Sequence, residues 1–318
     1  MALREGQAGR VVVPMLDLRA QYLSIKDEID AAVARVHEYG QYVMGSEVAA
    51  FEREWAAFCH AKYCVGVSSG TDALYLAMLG VVRLNSGVRH FITTPFSFFA
   101  TAQAIVALGH KPEFMDVGED GNMPAIPARP GEVLVPVHLY GKPIYLESNG
   151  GLIVEDAAQA HGMSFNPQSD ATCFSFYPSK NLGAMGQAGA VITNNPALAA
   201  LVREMRTYGE RERFIHYETT GNHRMDELQA AILRAKLRHL HEWNYARAMV
   251  ARAYCTAFAE IPGIQEPEWY PQHQWHVFAI RVTDPRGRDA LAAYLKERGI
   301  QTAVRYPLPL HLQPALRY

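Results

Sequence analysis

Lys180 stands between an apolar run and a glycine-bearing turn, in the stretch Cys-Phe-Ser-Phe-Tyr-Pro-Ser-Lys-Asn-Leu-Gly at 173–183. A lysine amine attacks a carbonyl only when deprotonated, and burial or a neighbouring cation lowers its pKa toward that state. Its obvious carbonyl partner is the aldehyde of pyridoxal phosphate. A lysine beside glycines reads, on its own, as an ordinary loop lysine, so the weight falls on what else the chain carries. Ser175 and Lys180 flank a turn that Pro178 helps to fix. A hydroxyl for a phosphate and an amine for an aldehyde fit that spacing, although serines at strand ends also serve turn chemistry alone.

Three further clusters carry related chemistry. Residues 150–162 form an apolar strand that ends in Glu155 and Asp156 and a polar turn, and α/β proteins place ligands at strand carboxyl ends. An acid there can hold a proton on a pyridine nitrogen, making the ring an electron sink. Asp156 is chosen over Glu155 because neighbouring strand residues face opposite sides; alternatively both cap the following helix or bind a metal. In Val-Ser-Ser-Gly-Thr-Asp-Ala-Leu (67–74), Gly70 and Thr71 lie where backbone N–H groups converge on an anion at a helix start. The alternative is that Thr71 or Asp72 simply caps the helix. In Pro-Phe-Ser-Phe-Phe-Ala-Thr (95–101), Phe98 either stacks on a flat cofactor or fills a core.

The elements that position these residues follow from periodicity. Val11–Pro14 is extended, and Ile25, Ile29, Val33 and Val36 mark a helix from Tyr22 to Glu38. A strand from Tyr63, a turn and a helix follow. Short strands are expected at Phe91–Thr94, Glu113–Val117, Val133–Val137, Leu152–Val154, Ala171–Phe176 and Ala188–Thr193. Their alternation with helical stretches predicts an α/β fold with helices on both faces of the sheet. A helix is expected at Asp226–Trp243, continued or bent into Tyr245–Phe258. Beyond Pro262, strands at His276–Val282 and Thr302–Arg305 flank a helix at Asp289–Arg298, a small α+β domain. The division is set at 1–245 and 246–318.

The chain has 318 residues, 49% of them apolar, with 30 Lys and Arg against 32 Asp and Glu. A core of useful size is available. A net charge of −2 gives no general pull toward nucleic acid or anionic membranes. Cys59, Cys64, Cys173 and Cys255 show neither a disulfide framework nor a zinc spacing, so no metal and a reduced, cytoplasmic setting are expected. The N-terminus lacks a secretory core, and no apolar run reaches the roughly 18 residues of a membrane span.

Seven segments extend the pattern: 15–22, 68–74, 136–141, 155–162, 174–183, 221–231 and 306–313. Read in order, from Met-Leu-Asp-Leu-Arg-Ala-Gln-Tyr to Tyr-Pro-Leu-Pro-Leu-His-Leu-Gln, they resemble the DegT/StrS family, nucleotide-sugar aminotransferases of fold type I that use pyridoxal phosphate. The resemblance implies a mostly parallel mixed sheet with a small C-terminal domain. It implies that Lys180 forms the imine with the cofactor, Asp156 pairs with the pyridine nitrogen and Gln159 bonds the ring hydroxyl. Gly70, Thr71 and Ser175 hold the phosphate, and Phe98 covers the ring face. A homodimer with shared sites is implied, in which Asn222 reaches the phosphate from the partner subunit. His311 falls on the sugar side, while His161 reads as a packed histidine.

The expected activity is transfer of an amino group from an amino acid, L-glutamate, to a nucleotide-linked keto sugar. Alternatives are a cyclitol ketone as acceptor, or an inactive scaffold or regulator. Lys180 argues against dehydratases of the same family, which carry histidine there. Two departures stand out: the family's Gly-Glu-Gly-Gly reads Gly-Gln-Ala-Gly at 186–189, and the chain resembles a shortened member. The segments 80–91 and 141–155 and the stop at Tyr318 trim regions that shape the sugar and nucleotide end.

Overall fold

The computed structural model describes residues 4–6 and 10–317. A short hairpin, β1 (Arg4–Gly6) with β2 (Arg10–Val12), precedes two helices, α1 (Leu18–Ser24) and α2 (Lys26–Tyr39). The helix expected from Tyr22 is therefore interrupted: Ile25 leaves helical geometry at φ −135° and its N–H turns back to the Tyr22 carbonyl. Gly40, at φ 64°, ends α2 in the left-handed conformation that glycine adopts without steric cost.

Helix α3 (Ser46–Phe58) leads into the sheet-forming part. Its elements run β3 (Tyr63–Val67), α4 (Gly70–Leu84), β4 (His90–Thr93), α5 (Ala100–Ala107), β5 (Pro112–Phe114), β6 (Glu132–Val135), β7 (Leu152–Asp156), β8 (Ala171–Ser175), β9 (Gly189–Thr193) and α6 (Pro196–Met205). The hairpin β10 (Glu210–Glu212) with β11 (Ile215–His216) follows. Then come α7 (Glu227–Leu237), α8 (Leu240–Phe258), β12 (Ile264–Gln265), β13 (Arg281–Val282) and α9 (Pro285–Glu297).

Seven strands form one sheet in the order β3-β9-β8-β7-β6-β4-β5. Only β9 runs against its neighbours; the β8–β7, β7–β6, β6–β4 and β4–β5 pairs are parallel. The strands read as continuous apolar runs because helices cover both faces. On one face Phe51 and Trp55 of α3 and Leu233 of α7 pack with Phe174 and Phe176. Trp55 meets Phe174 and Phe176 edge to face, at 5.0 and 5.4 Å between centroids. On the other face Leu76, Met78 and Val81 of α4 and Leu198 and Val202 of α6 cover Val65, Val133 and Val154. This architecture is the α/β fold type I expected from the motif order.

With β9 reversed, the carboxyl ends of β3, β4, β6, β7 and β8 lie along one edge of the sheet. That edge carries Ser68–Gly70, Thr94–Phe98, Asp156–Gln159 and Ser175–Lys180 together.

The C-terminal part departs from expectation. The helix expected to reach Trp243 breaks earlier, between Leu237 and Leu240, and α8 then runs unbroken to Phe258. The division set after residue 245 thus falls inside a helix. Of the two expected strands, only Arg281–Val282 pairs, with Ile264–Gln265, and 302–305 is not a strand. The backbone there finds other partners: Gln274 N–H donates to the Gly141 carbonyl at 2.7 Å, Val277 N–H to Tyr140 at 3.2 Å, and Gln301 N–H to Val13 at 3.0 Å. Strand propensity without a neighbouring strand leaves an extended segment bonded to whatever lies beside it.

Glu227, 2% exposed, closes the start of α3 from outside that helix, accepting the N–H groups of Gly45 at 2.7 Å, Glu47 at 2.8 Å and Val48 at 3.1 Å. Replacing Glu227 by Ala leaves these donors unpaired. It should lower unfolding stability by about 3 kcal/mol, read as a lower urea midpoint at unchanged slope.

Candidate active site

The turn that carries Lys180 is held from four directions. Lys180 N–H bonds to the Tyr177 carbonyl at 2.9 Å, and Ala184 N–H to Phe176 at 2.8 Å. A Cβ at Gly183 would run into the Pro178 carbonyl, so only glycine lets the turn close. Asn181, fully buried, donates to the Asn244 side chain at 2.9 Å and to the Gln274 carbonyl at 2.7 Å, and accepts from His276 Nδ1 at 3.0 Å. The Gly183 carbonyl accepts from Lys236 Nζ at 2.7 Å, which also reaches Gln21 of α1 at 3.2 Å. The turn that carries Lys180 is thus fixed to α8, the 274–276 segment, α7 and α1.

Burial lowers the Lys180 pKa to about 8; the Arg305 charge adds to the lowering and Asp156 opposes it. Losing water disfavours the ammonium form. His276, whose ring also feels the Lys180 charge, is held well below its ordinary pKa, chiefly by burial.

Asp156 ends β7 and is 6% exposed. Thr101 donates its hydroxyl to Oδ2 at 2.7 Å, and Ala158 N–H donates to Oδ1 at 3.1 Å. Glu155 faces the other way, fully buried, with Thr172 at 2.6 Å, Ser169 at 2.8 Å and Asn166 at 3.3 Å as donors. Strand alternation thus separates a site-facing carboxylate from a structural one. Gln159, three residues on, accepts from Tyr140 N–H at 2.6 Å and donates to the Tyr306 hydroxyl at 3.1 Å.

Gly70 and Ser175 meet at the start of α4. A Cβ on Gly70 would lie 2.5 Å from the Ser175 Cβ and 3.0 Å from its Cα, so the approach needs glycine. The cap of α4 is Ser69, whose side chain accepts Asp72 N–H at 3.1 Å; neither Thr71 nor Asp72 caps it, as the simpler reading of this segment proposed. Asp72 instead accepts from both serines and lies 2.9 Å from His223 Nδ1. Gly70 and Thr71 therefore open the helix beside Ser175, an arrangement that suits a phosphate. Phe98 is 63% exposed, and its carbonyl lies a turn before Thr101. Asn222 is exposed and holds Arg224 Nε at 2.8 Å, in a segment that bridges to Val67 and Thr207.

These residues fit pyridoxal phosphate: a glycine cradle at a helix start, a hydrogen-bonded carboxylate, an uncovered aromatic face and a lysine shifted toward its amine.

Other participants escaped the sequence. Thr101 follows Phe98 within one motif, yet its role depends on β7 lying beside the start of α5. Tyr140, Arg305 and Tyr306 converge from two regions: the Tyr140 hydroxyl donates to the Arg305 carbonyl, and Tyr306 packs edge-on to Phe96 at 6.0 Å. Burial pushes the Tyr140 pKa up to about 12, with Tyr306 adding and Arg305 opposing. His311 is exposed, its ring beside Phe114 at the end of β5, 6.2 Å between centroids. His161 is packed among Trp55, Phe174 and Phe176, donating Nε2–H to the Ser175 carbonyl at 2.8 Å. Among the described residues, no helix is long and apolar enough to cross a membrane.

A family model described as the DegT/DnrJ/EryC1/StrS aminotransferase family matches residues 23–318. The chain is 42% identical to the erythromycin biosynthesis sensory transduction protein EryC1 of Saccharopolyspora erythraea, over 95% of this chain and 87% of that protein. It is 41% identical to a dTDP-3-amino-3,4,6-trideoxy-alpha-D-glucose transaminase of Streptomyces venezuelae, over 95% and 84%. The crystal structure of S. venezuelae DesV in complex with a ketimine intermediate superposes with a TM-score of 0.87 at 39% identity, covering 96% of this chain and 86% of that one.

Two outcomes follow from this geometry. Gly70→Ala would stabilise an ordinary helix, but here the collision with Ser175 outweighs that by about 1–3 kcal/mol of overpacking. Cofactor affinity, measured by titration of the cofactor-free protein, should fall about tenfold or more. In the cofactor-free protein, labelling by an amine-selective reagent followed by mass spectrometry should show Lys180 reacting with a midpoint near pH 8. Ordinary surface lysines should react with midpoints of about 10.4.

Proposed function

Because the chain belongs to the DegT/DnrJ/EryC1/StrS aminotransferase family, whose cofactor is pyridoxal phosphate, we propose that it moves an amino group from L-glutamate to the keto group of a nucleotide-linked sugar. One observation carries the reading: a lysine shifted to about pH 8 shares the carboxyl edge of the sheet with a carboxylate held by Thr101 and a glycine cradle at a helix start. When bound, the cofactor supplies an aldehyde and a ring that accepts the electron pair left as a proton leaves the carbon bearing the amine.

The chain's residues do the rest. Lys180 Nζ would hold the cofactor and, as a neutral amine, would take the proton from the substrate carbon and return it as an ammonium. A shift toward neutral pH matches both duties. Asp156 keeps a proton on the ring nitrogen, and Thr101 and Ala158 N–H fix its orientation. Gln159, aligned by Tyr140 and Tyr306, would bond the ring hydroxyl. Gly70, Thr71 and Ser175 would hold the phosphate, and Phe98 would cover the ring.

The sugar assignment draws support from the Streptomyces transaminase, named for a dTDP-linked amino sugar. His311, at the outer side of the same edge, belongs to the sugar side. A second copy completes the site, with Asn222 reaching its phosphate. Phe214, Ile215 and Tyr217 of the adjoining hairpin are 78, 49 and 52% exposed, an apolar surface that suits such a partner. Buried free Cys59, Cys64 and Cys173 agree with a cytoplasmic setting.

The name of the Saccharopolyspora relative, a sensory transduction protein, motivates a second reading as a regulator without turnover. Absorbance separates the two. Cofactor-loaded protein should lose its visible absorbance with L-glutamate and regain it with 2-oxoglutarate, and borohydride should attach the cofactor to Lys180. Lys180→Ala should lose both responses, with turnover down by at least about 10²-fold. A wild-type spectrum unmoved by any amino donor would favour the reading without turnover.

A further inference from the structure

The segment 305–310 returns from the C-terminal part and is strapped across the site. The Arg305 carbonyl accepts from the Tyr140 hydroxyl, Tyr306 binds Gln159 at 3.1 Å, and Leu310 N–H donates to the Pro95 carbonyl at 2.7 Å. Leu310 is buried with Ala102 and Leu316, which anchors the strap against α5. The backbone of Arg305 is thereby fixed, while its side chain is exposed. Its charge acts on Lys180, His276, Tyr140 and Tyr306, and among the described residues it forms no ion pair. A guanidinium presents a planar fork suited to a carboxylate or a phosphate.

Four anionic groups enter the site of a glutamate-dependent transaminase, one of them the side-chain carboxylate of L-glutamate, which two methylenes hold away from the reacting carbon. The cofactor phosphate has its own cradle at the start of α4. The diphosphate of a nucleotide sugar is separated from the reacting carbon by the sugar ring. The α-carboxylate of an amino donor is bonded directly to the reacting carbon, whose nitrogen takes the place of Lys180 Nζ. A fixed cation felt at Lys180 meets the last of these.

We propose that Arg305 binds the α-carboxylate of the amino donor and so sets specificity in the first half of the reaction; this rests on the transaminase reading. Tyr140 and Tyr306 hold Arg305 in place and are its positioning residues. On this assignment, loss of Arg305 weakens the amino donor and not the nucleotide sugar.

Cofactor-loaded wild type, Arg305→Gln and Arg305→Lys are compared in three measurements: the L-glutamate concentration that half-saturates loss of visible absorbance, calorimetric binding of glutarate, and calorimetric binding of dTDP. Arg305→Gln should raise the L-glutamate value and weaken glutarate by about 10- to 100-fold, the range of a charge-assisted hydrogen-bond pair. Arg305→Lys, which keeps the charge but not the fork, should recover part of that loss. Binding of dTDP should stay within about twofold of wild type, within ordinary variation for an uninvolved side chain. Weakened dTDP with unchanged glutarate would overturn the proposal and assign Arg305 to the diphosphate. Unchanged binding of both probes would overturn it as well. A wild type that responds to no amino acid would overturn the transaminase reading itself, a result seen before any variant is compared.

Discussion

Everything at the strand ends depends on taking one ammonium group out of water. Burial, with a smaller contribution from the Arg305 charge, moves Lys180 toward its amine form, and Asp156, on the neighbouring strand end, limits how far the shift goes. Were the lysine more exposed, its pKa would return to the ordinary range and a nucleophile would be lost. Were it nearer an acid, the ammonium would be favoured at neutral pH. A value near 8 lets one group serve as both acceptor and donor of a proton. Such a compromise requires a turn that does not move, which explains the number of bonds spent on Asn181 and Gly183 rather than on Lys180 itself.

The rigidity is drawn from distant parts of the chain. Lys236 on α7 is buried, with its own pKa lowered to about 8 by burial, and donates to the Gly183 carbonyl while also reaching Gln21. Asn244 on α8 bonds the His161 carbonyl at 2.6 Å as well as Asn181. A Cβ at Gly162 would strike the Gln274 side chain, so the 274–276 segment sits directly on the loop after β7. The C-terminal part is therefore joined to the Lys180 turn by side-chain hydrogen bonds more than by a shared sheet. Its sparse strand pairing is consistent with that: the N–H groups of Gln274, Val277 and Gln301 donate to Gly141, Tyr140 and Val13 rather than to a neighbouring strand.

On β7 a single peptide step separates two buried carboxylates with unlike duties. Glu155 is saturated by Thr172, Ser169 and Asn166 on the far side of the sheet, where it stabilises the packing of the 166–172 loop. Among the described residues, the Asp156 carboxylate accepts from Thr101 and one backbone N–H, which leaves acceptor capacity for a protonated ring nitrogen. Sequence cannot rank two adjacent acids by side-chain type; the period of two along a strand does.

The order of the motifs, the α/β alternation and the identity of the lysine, the acid and the glycine–serine pair were all legible in the chain itself, because each is a local event. An apolar strand that ends in polar residues, a glycine at a helix start and a lysine in a proline-fixed turn are each visible locally, but each alone also fits a cap or an ordinary loop, and it is their order along the chain that marks them as candidates. The break at Ile25, the Ser69 cap and the missing strand at 302–305 were less legible, since each is decided by competing partners for the same backbone groups. The Thr101 bond to Asp156, the clasp of Tyr140 and Tyr306 on Gln159, and the exposed guanidinium of Arg305 joined residues up to 165 positions apart. Local pattern names the groups that can react. Only the closed sheet edge, with the C-terminal strap laid across it, decides their distance, their exposure to water and hence their charge.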